Sequence, residues 1–204
     1  MKGKLVKDAL ILTIITLVSG LGLGFVYEIT KEPIRVAKEA ALIRSYKAVF
    51  EDAEGFENYE DFDAEEAKEL LSDSGISGVS ITFTEKALDS SKDLIGYVIG
   101  VKSQGGYGGP IEFSMGVTSD GELTGYSITS ISETAGLGMK ADQYGEKTFS
   151  DQWIGKDASS PDYAVKKDGG EIEAISGATI TSRCMTNGIN GGIAWFNYLE
   201  GGAQ

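Results

Sequence analysis

The sequence predicts an α+β protein, with an N-terminal transmembrane helix followed by a single antiparallel-sheet domain flanked by helices. Three observations carry this. Residues 9–27 hold no charged side chain and are preceded by Lys2, Lys4 and Lys7. Residues 79–131 change to runs with strand patterning, separated by turn signals. Apolar residues return at helical spacing near the C-terminus, over about 181–199.

The first element, Ala9 to Tyr27, has 19 residues. As a helix it spans roughly 28 Å, close to the hydrocarbon thickness of a bilayer. The lysines before it predict a cytoplasmic N-terminus, residues 1–8, with the remainder outside. A cleaved signal peptide is the rival, because Ser19-Gly20-Leu21-Gly22 offers small residues. The uncleaved anchor is favoured, since the apolar run continues past Gly24 and no Ala-x-Ala follows. Thr30 and Pro33 then predict the start of a second helix, with Ile34, Ala37, Ala41, Ile43, Tyr46 and Phe50 on its apolar side. Residues 28–75 form a juxtamembrane helical segment on this reading. Its acidic part, Asp61-Phe62-Asp63-Ala64-Glu65-Glu66, is not a calcium loop, because Glu66 stands where the sixth-position glycine is needed. A short helix near 64–72 with a solvated acidic face is the expectation.

A sheet domain, residues 76–204, follows. Val79–Thr84 and Ile111–Val117 alternate apolar and polar residues, and Leu94–Val101 reads as a buried strand. Asp120-Gly121 is a hairpin signal, and Leu123–Ile131 is the return strand. Glu171–Ile175 is expected as one more short strand before the final helix.

Composition narrows the chemistry. The chain has no histidine and one cysteine, Cys184, which excludes histidine triads, most zinc and haem ligation, and an intrachain disulfide. No metal site is expected, and a redox role needs an organic cofactor. Cys184 reads as a small buried residue. Residues 28–204 hold 30 acidic and 15 basic residues, a net charge of −15. Such a surface repels nucleic acid, so no nucleic-acid partner is expected.

The most informative stretch is Glu173-Ala174-Ile175-Ser176-Gly177-Ala178-Thr179-Ile180-Thr181-Ser182. Its hydroxyl residues mark a helix N-terminus, where unpaired N–H groups favour anions. An ordinary helix cap is the plain alternative. Ser176-Gly177-Ala178-Thr179 after Glu173 resembles the flavinylation motif Asp-x-x-Ser/Thr-Gly-Ala-Thr of the extracytoplasmic FMN-binding domains in the Rnf and Nqr complexes, with Glu173 in place of the aspartate. The resemblance implies that Thr179 carries FMN through a phosphoester bond installed by a flavin transferase. Glu133-Thr134-Ala135-Gly136-Leu137-Gly138 is similar to the family's Glu-Thr-Pro-Gly-Leu-Gly loop, with Ala135 for proline, and implies a place beside the isoalloxazine ring. Glu133, Thr134, Leu137, Gly138 and Met139 are therefore candidate flavin contacts, with Ser176, Gly177 and Ala178. Tyr107, in the Gly-rich stretch 104–110, is a further candidate. The element Phe149-x-x-Gln152-Trp153-x-Gly155-Lys156 also resembles a family element and is expected to be structural.

The resemblance covers nearly the whole chain, and its compact length favours the G subunit of Rnf over the longer Nqr C subunit. It implies an electron-carrier subunit of a ferredoxin:NAD+ oxidoreductase coupled to Na+ or H+ translocation, an enzyme only as part of that complex, with no catalytic residues of its own. Partners implied are the other subunits, the flavin transferase and the membrane. The alternatives are a flavinylated domain of an Nqr-type or other membrane redox pathway, and a non-redox extracellular binding domain.

Overall fold

The structure is a computed structural model that describes residues 2–201; Met1 and 202–204, the outer ends of the expected N-terminal and FMN-binding segments, lie outside the described residues. The chain divides into two compact units, 1–41 and 42–204.

One helix, α1, runs Lys2–Val49, where the sequence predicts two. The expected break at Thr30 and Pro33 does not occur. The Thr30 hydroxyl donates back to the Val26 carbonyl at 2.8 Å instead of capping a new helix. Pro33 sits inside the helix. The described residues of the first unit, 2–41, thus all lie within α1, with Leu10 to Tyr27 presenting exposed large apolar side chains. It is the one helix long and apolar enough to cross a membrane among the described residues.

The second unit is built on a five-stranded antiparallel sheet in sequential order. Its strands are β1 (Gly55–Asn58), β2 (Val79–Leu88), β3 (Leu94–Gly106), β4 (Gly109–Thr118) and β5 (Leu123–Ser130). The short helix α2 (Ala64–Asp73) lies between β1 and β2. Asp63 caps it, its carboxylate accepting from the N–H groups of Glu65 and Glu66 at 2.8 and 3.4 Å. The acidic run is therefore read by helix capping.

The period of the strands distributes side chains between two cores. Tyr97, Ile99 and Val101 of β3 join Ile111, Phe113, Met115 and Val117 of β4 in the larger core, beneath α2 and the final helix α3 (Thr179–Gly201). Val98 points the other way, into a smaller core with Tyr46, Val49, Phe50 and Ala87. Both faces of β3 are covered, which is why it reads as a continuous apolar run. On that second face the Ser45 and Ser114 hydroxyls pair at 2.7 Å, satisfying two buried polar groups.

Helix α3 carries Gly188, Gly191 and Gly192, a composition poor in helix propensity. Close approach to the sheet explains them. A Cβ at Gly188 would lie 2.9 Å from the Phe113 ring, and one at Gly192 would fall inside contact distance of Met115 Sδ. Packing also fixes the final helix's own large residues: Met185, Ile189, Ile193 and Trp195 are fully buried. The Trp195 indole N–H donates to Thr84 Oγ1 at 2.9 Å.

Between β5 and α3 the chain is mostly irregular, with three short 3-10 turns, at Gly138–Asp142, Asp151–Trp153 and Lys166–Asp168. The strand expected over Glu171–Ile175 is absent. Only a single parallel bridge, Val165 to Ile172, forms there. The Gln152 side chain takes over the task a strand neighbour would perform.

Candidate functional site

Three segments distant in sequence meet at one cavity of about 540 Å³, lined by Tyr107, Glu133, Thr134, Leu137, Gly138, Gly177, Ala178, Thr179, Ile180 and Thr181. The β3–β4 hairpin supplies Tyr107, the loop after β5 supplies Glu133–Gly138, and the start of α3 supplies the rest.

The start of α3 is shaped by its own sequence. Gly177 adopts φ +77°, a left-handed conformation that a side chain would oppose. The chain turns there, and the Ala178 N–H donates to the Ile175 carbonyl at 2.9 Å. Ser182, buried one turn into the helix, accepts from the Ile175 N–H at 2.9 Å and donates to the Ala178 carbonyl at 3.0 Å. Together these bonds leave Thr179 half-buried at the first helical position, facing the cavity. The first N–H groups of a helix lack intrahelical acceptors and favour an anion at this end.

The opposite wall rests on Glu133, only 9% exposed. The Gly108 N–H donates to its carboxylate at 3.3 Å, tying the β3–β4 hairpin to the loop. Gly138 sits against the same carboxylate: a Cβ there would lie 2.5 Å from Glu133 Oε2 and 2.7 Å from Thr181 Oγ1. The loop closes through the Leu137 and Met139 N–H groups, both donating to the Thr134 carbonyl. It is held from beneath by Tyr126, whose hydroxyl donates to the Ala141 carbonyl at 2.7 Å. Burial pushes the Tyr126 phenol well above its ordinary range, so it stays a donor.

The chain leading into the helix is pinned from the side. Gln152 makes both bonds a strand neighbour would make: its amide donates to the Glu173 carbonyl at 3.1 Å and accepts from the Glu173 N–H at 2.7 Å. This gives the Phe149–Lys156 element its role as a support. Lys156 pairs with Glu171 at 2.5 Å, and Lys166 pairs with Glu173.

Of the residues singled out from the sequence, Tyr107, Glu133, Thr134, Leu137, Gly138, Gly177, Ala178 and Thr179 line this cavity, whereas Ser176 and Met139 do not. Ser176 opens on a neighbouring polar cavity with Lys140, Gln143 and Gln152. The left-handed turn at Gly177 separates it from Thr179. Ile180 and Thr181 are lining residues that sequence reasoning missed; they follow directly from the first helical turn of the motif. Lys167, whose ammonium donates to Thr179 Oγ1 at 2.9 Å, was also missed, since it stands twelve positions away along mostly irregular chain. Cys184 is buried beside Ser103, and burial pushes its thiol up.

The volume falls within the range of small-molecule sites. Tyr107, Ile180 and Leu137 give apolar surfaces that are 72%, 49% and 42% exposed, suited to a flat aromatic ring. Thr134, Thr179 and Thr181 give hydroxyls, and the helix start suits a phosphate. The residues present fit FMN. The family of FMN-binding domains matches residues 106–194, which contain the whole lining.

Fold and site therefore define an FMN-binding domain that follows a helix long enough to span a membrane. The chain is 34% identical over 149 residues to the G subunit of the Na+-translocating ferredoxin:NAD+ oxidoreductase complex of Acetobacterium woodii, covering 69% of each chain. It is 30% identical over 196 residues to the G subunit of the ion-translocating oxidoreductase complex of Cereibacter sphaeroides, covering 93% of this chain and 83% of that one. The corresponding G subunit of Shewanella baltica is 26% identical over 200 residues, covering 97% and 92%. The chain belongs to the G-subunit family of Rnf-type ion-translocating oxidoreductase complexes, FMN-binding subunits of electron transport.

Proposed function

We propose that this protein is a membrane-anchored electron carrier whose FMN is attached covalently to Thr179, within a ferredoxin:NAD+ oxidoreductase coupled to Na+ or H+ translocation. The observation that carries the reading is the Thr179 hydroxyl, at the wall of a ligand-sized cavity and at the start of a helix. Residues 9–27 are the anchor and 76–204 the flavin-carrying part. Residues 28–75 lead between them and contribute β1 and α2 to the sheet domain. Lys2, Lys4 and Lys7 hold the N-terminus on the cytoplasmic side, which leaves the flavin site extracytoplasmic.

Bound FMN supplies one- and two-electron transfer. The protein's part is to hold and orient. Thr179 would provide the attachment oxygen, and the N–H groups at the start of α3 would favour the phosphate. Leu137, Tyr107 and Ile180 offer packing surfaces, while Glu133 and Thr134 offer polar groups. As a carrier, the protein would pass electrons to neighbouring subunits. A covalent link keeps the cofactor from diffusing away outside the membrane.

The test is intact mass and peptide mapping of the full chain coexpressed with a flavin transferase, then denatured. Expected is one added FMN on the Thr179 peptide, absent in Thr179→Ala. Flavin retained covalently by Thr179→Ala, or mapped to another residue, overturns the assignment.

A further inference from the structure

The turn Lys166–Asp168 touches the flavin motif with three successive side chains. Lys166 pairs with Glu173, on the approach to the turn. Asp168 takes Arg183, one helical turn beyond Thr179, in a two-pronged contact at 2.7 and 2.5 Å. That pairing holds the Asp168 carboxyl below its ordinary range. Lys167, between them, donates to Thr179 Oγ1 at 2.9 Å. The turn itself is set by the parallel bridge that follows it: Lys166 N–H donates to the Ile172 carbonyl at 2.8 Å, and Gly169 ends the turn in a left-handed conformation.

The three partners differ in a way that matters. Lys166 and Arg183 are each in direct contact with a carboxylate, whereas Lys167 makes no salt bridge among the described residues and reaches Asp168 only at longer range, as the least of the influences on its carboxyl. Its ammonium is aimed at a neutral hydroxyl within a strongly acidic domain. A hydroxyl has one donor hydrogen and two acceptor lone pairs. Lys167 occupies one lone pair, which leaves the other, and the proton, available on an oxygen that lines the cavity. An ammonium so placed has little work to do for a free threonine and a clear one for a phosphate ester on it: it stands beside the new anion.

Resting on the covalent-flavin reading, we infer that Lys167 is the positioning residue for attachment at Thr179, orienting Oγ1 and neutralising the phosphodiester that forms there. In the transfer step the Thr179 O–H bond breaks and an Oγ1–phosphorus bond forms. The anhydride P–O bond of a flavin dinucleotide donor breaks, and the nucleoside monophosphate leaves with that electron pair. The hydroxyl proton passes to a base of the transferase. Lys167 neither gives nor takes a proton. Arg183 and Asp168 act through it by fixing the turn.

The experiment measures the initial rate of FMN attachment to the full chain in detergent, with purified flavin transferase and flavin adenine dinucleotide, read by intact mass. Lys167→Gln is expected to slow attachment about five- to thirtyfold, the span between an exposed ion pair and a charge-assisted hydrogen bond. Lys167→Arg, which keeps the charge, should stay within about threefold of wild type, and Lys86→Gln, on β2, should match it. The Lys167→Gln defect should narrow in 1 M salt, where the Debye length falls to about 3 Å. Asp168→Asn, which frees the turn, should fall between wild type and Lys167→Gln. Wild type loading on Thr179 with Lys167→Gln within twofold of it, or Lys167→Arg as slow as Lys167→Gln with both folded by circular dichroism, overturns this role while leaving covalent attachment standing. Wild type that takes no FMN on Thr179 overturns the covalent reading itself.

Discussion

Gly138→Ala isolates the geometry of the cavity at the start of α3. The added Cβ would lie 2.5 Å from Glu133 Oε2, 2.7 Å from Thr181 Oγ1 and 2.8 Å from Glu133 Cβ. Unstrained carbon contacts lie near 3.5–4.0 Å, so the loop and the carboxylate must separate by about 1 Å. Overpacking of this kind costs about 1–3 kcal/mol. Moving Glu133 also removes the Gly108 N–H bond, worth about 1 kcal/mol at its 3.3 Å length. Reduced freedom of the unfolded chain returns about 0.4–1 kcal/mol. The net is a loss of about 1–3 kcal/mol, or roughly 3–10 °C in melting temperature for a domain of this size. Gly136→Ala is the matched comparison. Gly136 has φ +75° and no atom within 4 Å of an added Cβ, so only backbone strain of about 1–2 kcal/mol opposes it. Differential scanning calorimetry gives the stability and intact mass after coexpression with a flavin transferase gives FMN loading. Gly138→Ala should lose both stability and loading, and Gly136→Ala should keep its loading. Wild-type loading by Gly138→Ala, or a larger loading defect in Gly136→Ala, refutes the packing argument.

Gln152→Ala should destabilise the domain by about 1–3 kcal/mol, because it strips both main-chain partners from Glu173; a denaturant midpoint equal to wild type would show that the contacts are incidental. Gly192→Val should destabilise the core by about 1–3 kcal/mol, since the buried Met115 side chain must leave its place against α3; urea titration reads it. Native Cys184 should react slowly with a thiol reagent and rapidly in denaturant, because it is buried and burial pushes its thiol up; equal rates would contradict the packing. Asp168 has a folded pKa below its unfolded value, so its contribution is complete above the ordinary carboxyl range near pH 4 and is lost as pH falls through the lower folded value. Asp168→Asn should therefore flatten part of the acid limb of the stability curve, and an acid limb identical to wild type would discount the Arg183 pairing.

Several elements were legible because local pattern reports local burial. The alternation in β2 and β4 and the Asp120-Gly121 hairpin each state which face is covered or where the chain turns, and the charge-free run 9–27 states a helix long enough to span a bilayer. Pro33 misled, because a proline whose lost hydrogen bond leaves the flanking turns intact does not end a helix, and the Thr30 hydroxyl found an acceptor in its own helix. Glu171–Ile175 misled too: its extended pattern is real, but the Gln152 side chain supplies its main-chain partners in place of a strand.

By itself, the sequence determined the class of the protein: an apolar helix, an antiparallel sheet, and a Ser-Gly-Ala-Thr turn that opens a helix, all of which rest on neighbours within a few residues. Only the tertiary structure decided which of the candidate residues share one cavity. Sheet pairing and the close α3–sheet packing bring Tyr107, Glu133 and Thr179 together, the left-handed turn at Gly177 leaves Ser176 outside, and the 166–168 turn sets Lys167 on Thr179. The physical reason is that periodicity encodes which side of an element is buried, whereas the meeting of distant side chains depends on register, turn geometry and reach, none of which a single stretch of sequence contains.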